Sequence, residues 1–217
     1  MGQVYPLLEK VKTMAEGAWD AAVREVLVRV AEECPQEEAG PRLAAVGCEM
    51  GEYMVAKVEA DQGLEGASDC RKGCGWCCHA QVPVSRPEAE WLRDWMDTHF
   101  QAAERDDTLE RIARNLDLTK GRSLDERVAV WDQTPCIFLH ENVCRVYPVR
   151  PLVCRAWHAV DKEQCRRAFL AREANAEVDN TPFRNFILGV VRDELARLMP
   201  WPGNGVLPLP EAMALLV

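Results

Sequence analysis

Apolar residues recur at three- and four-residue steps along the first third of the chain, from Val4 and Leu8 through Val11, Trp19, Val23 and Leu27 to Val30. This spacing predicts an amphipathic helix ending before Pro35. A second stripe, Leu43, Val46, Met50, Met54 and Val58, predicts a helix that follows Pro41. QEEAGP between them reads as a turn, so the two are expected to form an antiparallel pair. Both stripes read as core faces rather than partner grooves. DQGLEGASD, residues 61–69, is a glycine-bearing linker.

Beyond residue 80, Ser85 and Glu88 have the spacing of a capping box, with Pro87 in the first turn. They start a helix carrying Trp91, Leu92, Trp95 and Met96. Leu109, Ile112, Ala113 and Leu116 predict another, and SLDERVAVWDQ a short one after Ser123. The pattern then changes. CIFLHENVCRVY, residues 136–147, holds two short β-prone runs around His140-Glu141-Asn142, the signature of a small hairpin. Pro148 and Pro151 predict an extended or turn segment through the next cysteine. Helix returns at Thr181-Pro182, with Phe183, Phe186, Ile187, Val190, Val191, Leu195 and Leu198 turned inward, until PWPGNGVLPLP breaks it and EAMALLV ends the chain.

The fold class is therefore mainly α: a helical domain around an irregular cysteine-rich centre with a small β-hairpin. One domain is expected over residues 1–217. Within it lie an N-terminal helical pair (1–66), a cysteine-cluster region (68–172) and a C-terminal helix and tail (175–217). No internal repeat or low-complexity tract interrupts this plan.

Composition narrows the class. At 217 residues the chain can bury one good core, and 48% hydrophobic with 28% charged residues is an ordinary globular balance. No stretch reaches the roughly 18 apolar residues of a membrane span. The N-terminus lacks a basic leader and an apolar core, and its acylation-like MGQ has Pro6 where Ser or Thr is wanted. A net charge of −9 disfavours nucleic acid as the partner. The charge is uneven: residues 1–69 hold 14 acidic and 6 basic side chains, residues 136–172 hold 3 and 7. That basic region either offsets thiolate charge or greets an anionic partner.

Ten cysteines in a chain without an export signal point to a reducing, cytoplasmic setting and to metal or redox chemistry rather than a disulfide framework. Cys70, Cys74, Cys77 and Cys78 form C-x3-C-x2-CC, with Gly73 and Gly75 letting the backbone turn tightly around Cys74. Gaps this short suit tetrahedral zinc and iron–sulfur cubanes alike. Cys77 and Cys78 are adjacent and are expected to serve different metals or different corners of a site. Cys136, Cys144, Cys154 and Cys165 are spaced too widely for a knuckle of their own. They make sense if each loop brings one thiolate to a centre nucleated by the first four. Arg145, Arg150 and Arg155 are placed to offset thiolate charge and to donate hydrogen bonds to sulfur.

Two other readings of the cysteines are an inert apolar role and a disulfide switch. Cys34 and Cys48, each alone near a helix, read as core filler. His79 and His158 read as packing or supporting groups beside the thiolates, and Trp76 as a solvent shield. The standard nucleotide, metalloprotease and hydrolase motifs are missing.

Together the two halves resemble the YkgJ-like cysteine-cluster family, a zinc- or iron-chelating domain marked by a CxxCxxCC run, four further cysteines and a C…C…RP…CR signature. The matching pieces are Cys70-Cys74-Cys77-Cys78, Pro135-Cys136, Cys144, Tyr147, Arg150-Pro151, Cys154-Arg155 and Cys165. The first gap is three residues where two are commoner, which bears on Cys70. The resemblance covers roughly 68–172. It implies metal binding by these eight cysteines, with an iron–sulfur cluster as cofactor and Zn2+ as the alternative. Flagellin lysine methylases carry a similar cluster domain, but no residue here matches a methyl-transfer site.

Three functions follow as expectations. The first is a 4Fe–4S-type protein in electron transfer, or in a redox or protein-modifying system, with a protein redox partner or protein substrate. The second is a structural zinc protein serving as an interaction scaffold, and the third a metal store. Whether the chain is an enzyme, and its oligomeric state, are left open.

Overall fold

In a computed structural model the described residues are 18–172, 176–203 and 205–217. The expected helix before Gly17 and the acylation-like start lie outside them. Helix α1 (Trp19–Glu33) and helix α2 (Gln36–Gln62) are joined by Cys34 and Pro35 and pack on each other. They share a core with helix α8 (Pro182–Leu198). Val23, Leu27, Leu43, Met50, Val191 and Leu195 are fully buried in it, each contributing about 1.5–3 kcal/mol. α2 and α8 approach closely because α2 presents glycine there. A Cβ at Gly47 would stand 2.8 Å from Val191 Cγ1.

A second core is built from helix α3 (Arg86–His99), helix α4 (Ala102–Thr119) and helix α9 (Leu209–Ala214) around Leu92, Ile112, Phe138 and Met213. Trp91 packs against both cores. Strand β1 (Pro83–Val84) pairs antiparallel with β4 (Leu207–Pro208), and Trp201 Nε1 donates to the Val84 carbonyl at 3.3 Å, tying the chain's end to the start of α3. Helix α5 (Leu124–Val128) carries its own capping box, Ser123 with Glu126. Strands β2 (Leu139–His140) and β3 (Val143–Cys144) form the expected hairpin. Its two turn residues, Glu141 and Asn142, both have positive φ, the two-residue geometry that matches strand twist. Among the described residues no helix is long and apolar enough to cross a membrane.

The structure differs from the sequence expectations at several points. QEEAGP is not a turn: α2 begins at Gln36 with Pro41 inside it. Pro41, the sixth residue of the helix, forgoes the bond its N–H would have made to the Glu37 carbonyl, and Glu37 and Glu38 in the first turn complement the helix dipole. Of the extended or turn segment expected through Cys154, the turn is present at Pro148, but Cys154 itself is helical. Tyr147–Val149 forms a 3-10 turn, and helix α6 (Leu152–Ala156) starts after Pro151. Phe186 is not inward but 64% exposed, while Leu188 takes the buried place beside Ile187. Helix α7 (Lys162–Ala171), capped by Asp161, was not expected.

Candidate metal centre

The eight clustered cysteines reach one place from four directions. Cys70 and Cys74 lie in the loop after α2, and Cys77 and Cys78 on a 3-10 turn, Trp76–His79. Cys136 precedes the hairpin, Cys144 ends it, Cys154 sits on α6 and Cys165 on α7. All eight line a single cavity of about 130 Å³. Cys34 and Cys48 do not line it, and Cys48 is buried in the first core as expected. Among the described residues no three such side chains are gathered tightly enough to hold one ion; the sulfurs are spread around the cavity wall.

Local geometry explains how the loops hold this arrangement. Gly73 and Gly75 take φ values of 90° and 72°, and Cys74 N–H and Cys78 N–H close tight turns onto the Arg71 and Gly75 carbonyls. A side chain at either glycine would strain the turn. Cys136 N–H donates to the Cys78 carbonyl at 2.6 Å, joining the two halves of the cysteine pattern directly. Residues 68–70 zip onto 157–159, with Ser68 Oγ and Asp69 N–H both donating to the Ala159 carbonyl.

Several sulfurs are met by backbone amides. Ala159 N–H points at Cys70 Sγ at 3.2 Å. The amides of Trp76, Phe138 and Val146 face the sulfurs of Cys74, Cys136 and Cys144, each two residues upstream. Such amides favour the thiolate, the form that binds metal. Burial acts the other way. It pushes Cys136 and Cys154 well above the ordinary thiol range and Cys165 to about 11. Cys77 is raised first by its hydrogen bond with Cys78 and then by burial. A neighbouring cation reverses this balance, so loading the site releases protons.

The three arginines divide. Arg150 lines the cavity, and its charge opposes the rise of Cys77, Cys144 and Cys154. Its guanidinium lies 4.3 Å from the Tyr147 ring centre, and its Nε is buried with no hydrogen-bond partner among the described residues. Among the described residues none of the three donates to a sulfur, against expectation. Arg155 pairs with Glu52 at 2.5 Å and binds the Pro148 and Arg150 carbonyls, bracing the turn before α6. Arg145 is held by Asp107 at 2.8 Å. Each found a carboxylate on a distant helix.

His158 lines the cavity, its Nδ1 has no hydrogen-bond partner among the described residues, and burial lowers its pKa. His79 does not line it; its Nδ1 meets the Trp131 carbonyl at 3.1 Å and its ring lies 4.5 Å from that of Phe169. Trp76 is no lid, since it packs on Phe169 of α7 outside the cavity wall.

One residue has a role the sequence half revealed. Glu88 forms the capping box with Ser85, its Oε2 accepting from Ser85 N and Oγ at 2.8 and 2.6 Å. Its Oε1 accepts from Leu152 N–H at 2.8 Å, so the same buried carboxylate also caps α6, which carries Cys154.

The donor set, thiols met by backbone N–H groups beside the Arg150 guanidinium, fits a thiophilic metal group. The sequence model of the CxxCxxCC family, described as a "putative zinc- or iron-chelating domain", matches residues 69–175. No curated protein and no solved structure matches the chain. With all eight cavity cysteines inside it, the matched region, residues 69–175, is a CxxCxxCC-family domain, which supports metal binding.

Proposed function

We propose that the cavity holds an iron–sulfur cluster of the 4Fe–4S type and that the chain works in electron transfer or within a redox or protein-modifying system. The observation that carries this reading is eight sulfurs around one void of about 130 Å³. A water-sized site needs only about 10–15 Å³, and a tetrahedral zinc with thiolates at about 2.3 Å leaves no such space. A polynuclear group uses both the room and the sulfurs.

Cys77 is the common member of two electrostatic neighbourhoods. It acts on Cys136 and Cys154 on one side and on Cys165 on the other. We assign Cys77, Cys136, Cys144 and Cys154 to one ligand set. Cys70, Cys74 and Cys165 flank it. A bound cubane supplies one-electron transfer. Phe138, Val146 and Leu209 make the wall apolar, the amides at Cys70, Cys74, Cys136 and Cys144 stabilise thiolate charge, and Arg150 provides a compensating cation. The second reading, structural zinc, is supported by the loops themselves. The Cys70–Gly75 loop and the two-residue strands of the hairpin have little core of their own, and a metal would fasten them.

Anaerobic purification with an absorption spectrum and counts of iron, zinc and acid-labile sulfide separates the two. Brown protein with about four irons and four sulfides per cluster is expected. Colourless protein with stoichiometric zinc and no sulfide would replace the cluster with the scaffold reading.

A further inference from the structure

The sulfur cavity has a sealed side and an open side. On the sealed side Phe138, Val146, Pro151 and Leu209 are buried. On the open side Arg71 and Trp157 line the cavity and are exposed as well, Trp157 by 38%. Trp157 meets two of the sulfurs. Its carbonyl accepts from Cys70 Sγ at 3.8 Å, and its indole N–H faces Cys165 Sγ, opposing the rise that burial imposes on that thiol. Val160, three residues on, is 45% exposed. The outer edge of the cavity, at Cys70 and Cys165, thus reaches solvent beside an apolar spot.

Three cations flank that spot. Arg71 and Lys72 are exposed and follow Cys70, whose segment zips onto residues 157–159. Lys162, the first residue of α7, is close enough to Cys74 for its charge to act on that thiol. Among the described residues none of the three is held in an ion pair. The acids at the start of α7 are taken: Asp161 caps the helix and pairs with Arg167 at 3.9 Å, and Glu163 pairs with Arg166 at 2.7 Å. Asp69 is the acid just before Cys70. On a chain with a net charge of −9, this face carries the opposite sign.

An apolar centre with a polar, charged rim is the anatomy of a protein interface, and tryptophan is enriched where its binding energy concentrates. Two apolar side chains make a small contact, in the range of transient redox encounters rather than of stable dimers. A second copy of this chain, placed by a two-fold axis, would bring like charge against like. On the reading that the cavity holds a 4Fe–4S cluster, we propose that this face docks an acidic one-electron carrier protein, with Trp157 and Val160 at the centre of the contact and Arg71, Lys72 and Lys162 steering it. One electron passes between cluster and carrier across the edge at Cys70 and Cys165. The donor is oxidised and the acceptor reduced by one unit, and no bond forms or breaks. The acidic remainder of the surface repels such a carrier and confines it to this face.

The test is stopped-flow mixing of the full-length protein, purified anaerobically, reduced with dithionite and desalted, with ferric cytochrome c and with the same cytochrome succinylated, which makes its basic surface acidic. Iron and sulfide are counted first. At about 0.01 M ionic strength the succinylated form should be reduced at least about tenfold faster than the native form, an advantage lost at about 1 M. Lys72→Glu/Lys162→Glu reverses two charges that do not line the cavity. It should slow reduction of the succinylated form about tenfold and speed that of the native form, whereas a change in cluster potential would move both rates the same way. Val160→Glu should slow the succinylated form likewise. Should a variant fail to fold, the wild-type comparison decides alone. Equal rates for the two cytochromes, or rates that shift together in the double variant, with iron and sulfide intact, would overturn the inference and leave the cluster reading standing. Protein without iron and sulfide would take down the cluster reading and this inference with it. A dimer that Val160→Glu breaks in light scattering would assign the face to a second copy and overturn the inference.

Discussion

Removing the Glu88 carboxylate should loosen two helices at once. Glu88 is 1% exposed, and its oxygens accept from Ser85 N, Ser85 Oγ and Leu152 N. Glu88→Ala strands the Ser85 and Leu152 amides, each at about 1–3 kcal/mol, and opens a cavity besides. The expected loss is about 3–5 kcal/mol, a large share of a typical domain's stability of 5–15 kcal/mol. Glu88→Gln keeps the volume and one acceptor and should cost about 1–2 kcal/mol. Urea unfolding followed by circular dichroism gives both values. Burial drives the Glu88 carboxyl above its ordinary range, against the pull of its donors. A folded pKa above the unfolded one means its contribution is complete below about pH 4.5 and declines as pH rises through the folded value. The gap between wild type and Glu88→Gln should therefore narrow with rising pH. Since Leu152 starts the helix of Cys154, Glu88→Ala should also release metal to a chelator faster. Two variants within about 0.5 kcal/mol of wild type, with unchanged metal release, would refute the double-cap argument.

The other consequences are as direct. Gly189, inside α8, has open space where a Cβ would stand, whereas Gly47 faces Val191 at 2.8 Å. Gly189→Ala should raise stability by about 0.5–1 kcal/mol and Gly47→Val lower it by about 1–3 kcal/mol; thermal melts showing the opposite order would contradict the packing of α2 on α8. The Glu194 carboxyl is held below its usual range by Arg197 first and by Arg24. Its contribution is present above about pH 4.5 and is lost as pH falls through the lowered value, so Glu194→Gln should flatten that part of the acid-unfolding curve; an unchanged acid limb would count against the pairing. Burial pushes Cys48 up to about 12. Iodoacetamide at about pH 8 should leave Cys48 unlabelled in native protein and modify it after unfolding, and peptide mapping that finds it alkylated in the native state would show an exposed thiol instead.

What the sequence made legible was mostly local. The Ser85–Glu88 capping box, the Ser123 start of α5 and the hairpin around His140-Glu141-Asn142 each rest on residues within four positions of one another, and each is present, with His140 taken into strand β2. The gathering of eight cysteines was legible because sulfur is rare and its spacing distinctive. Pro41 misled because a 27-residue helix with a long buried face absorbs the one hydrogen bond a proline removes. α7 was missed because KEQCRRAFLA buries only Cys165 and shows no stripe. On α8 the buried line runs through Leu188 and Val191, leaving Phe186 outside, a choice set by which face α2 covers. The partners of Arg145, Arg155 and Glu88 are long-range. So is the pairing of Pro83–Val84 with Leu207–Pro208, where prolines hide the strand.

The central claim is that the thiolates around this one cavity hold the metal. Its most direct test is metal and sulfide content per chain in two double variants purified anaerobically alongside wild type. Cys77→Ser/Cys154→Ser removes two cavity sulfurs, and Cys34→Ser/Cys48→Ser removes the two that lie outside it. The first pair is expected to lose its metal while the second keeps the wild-type amount. Full metal content in the Cys77/Cys154 variant, or equal loss in both, would contradict it.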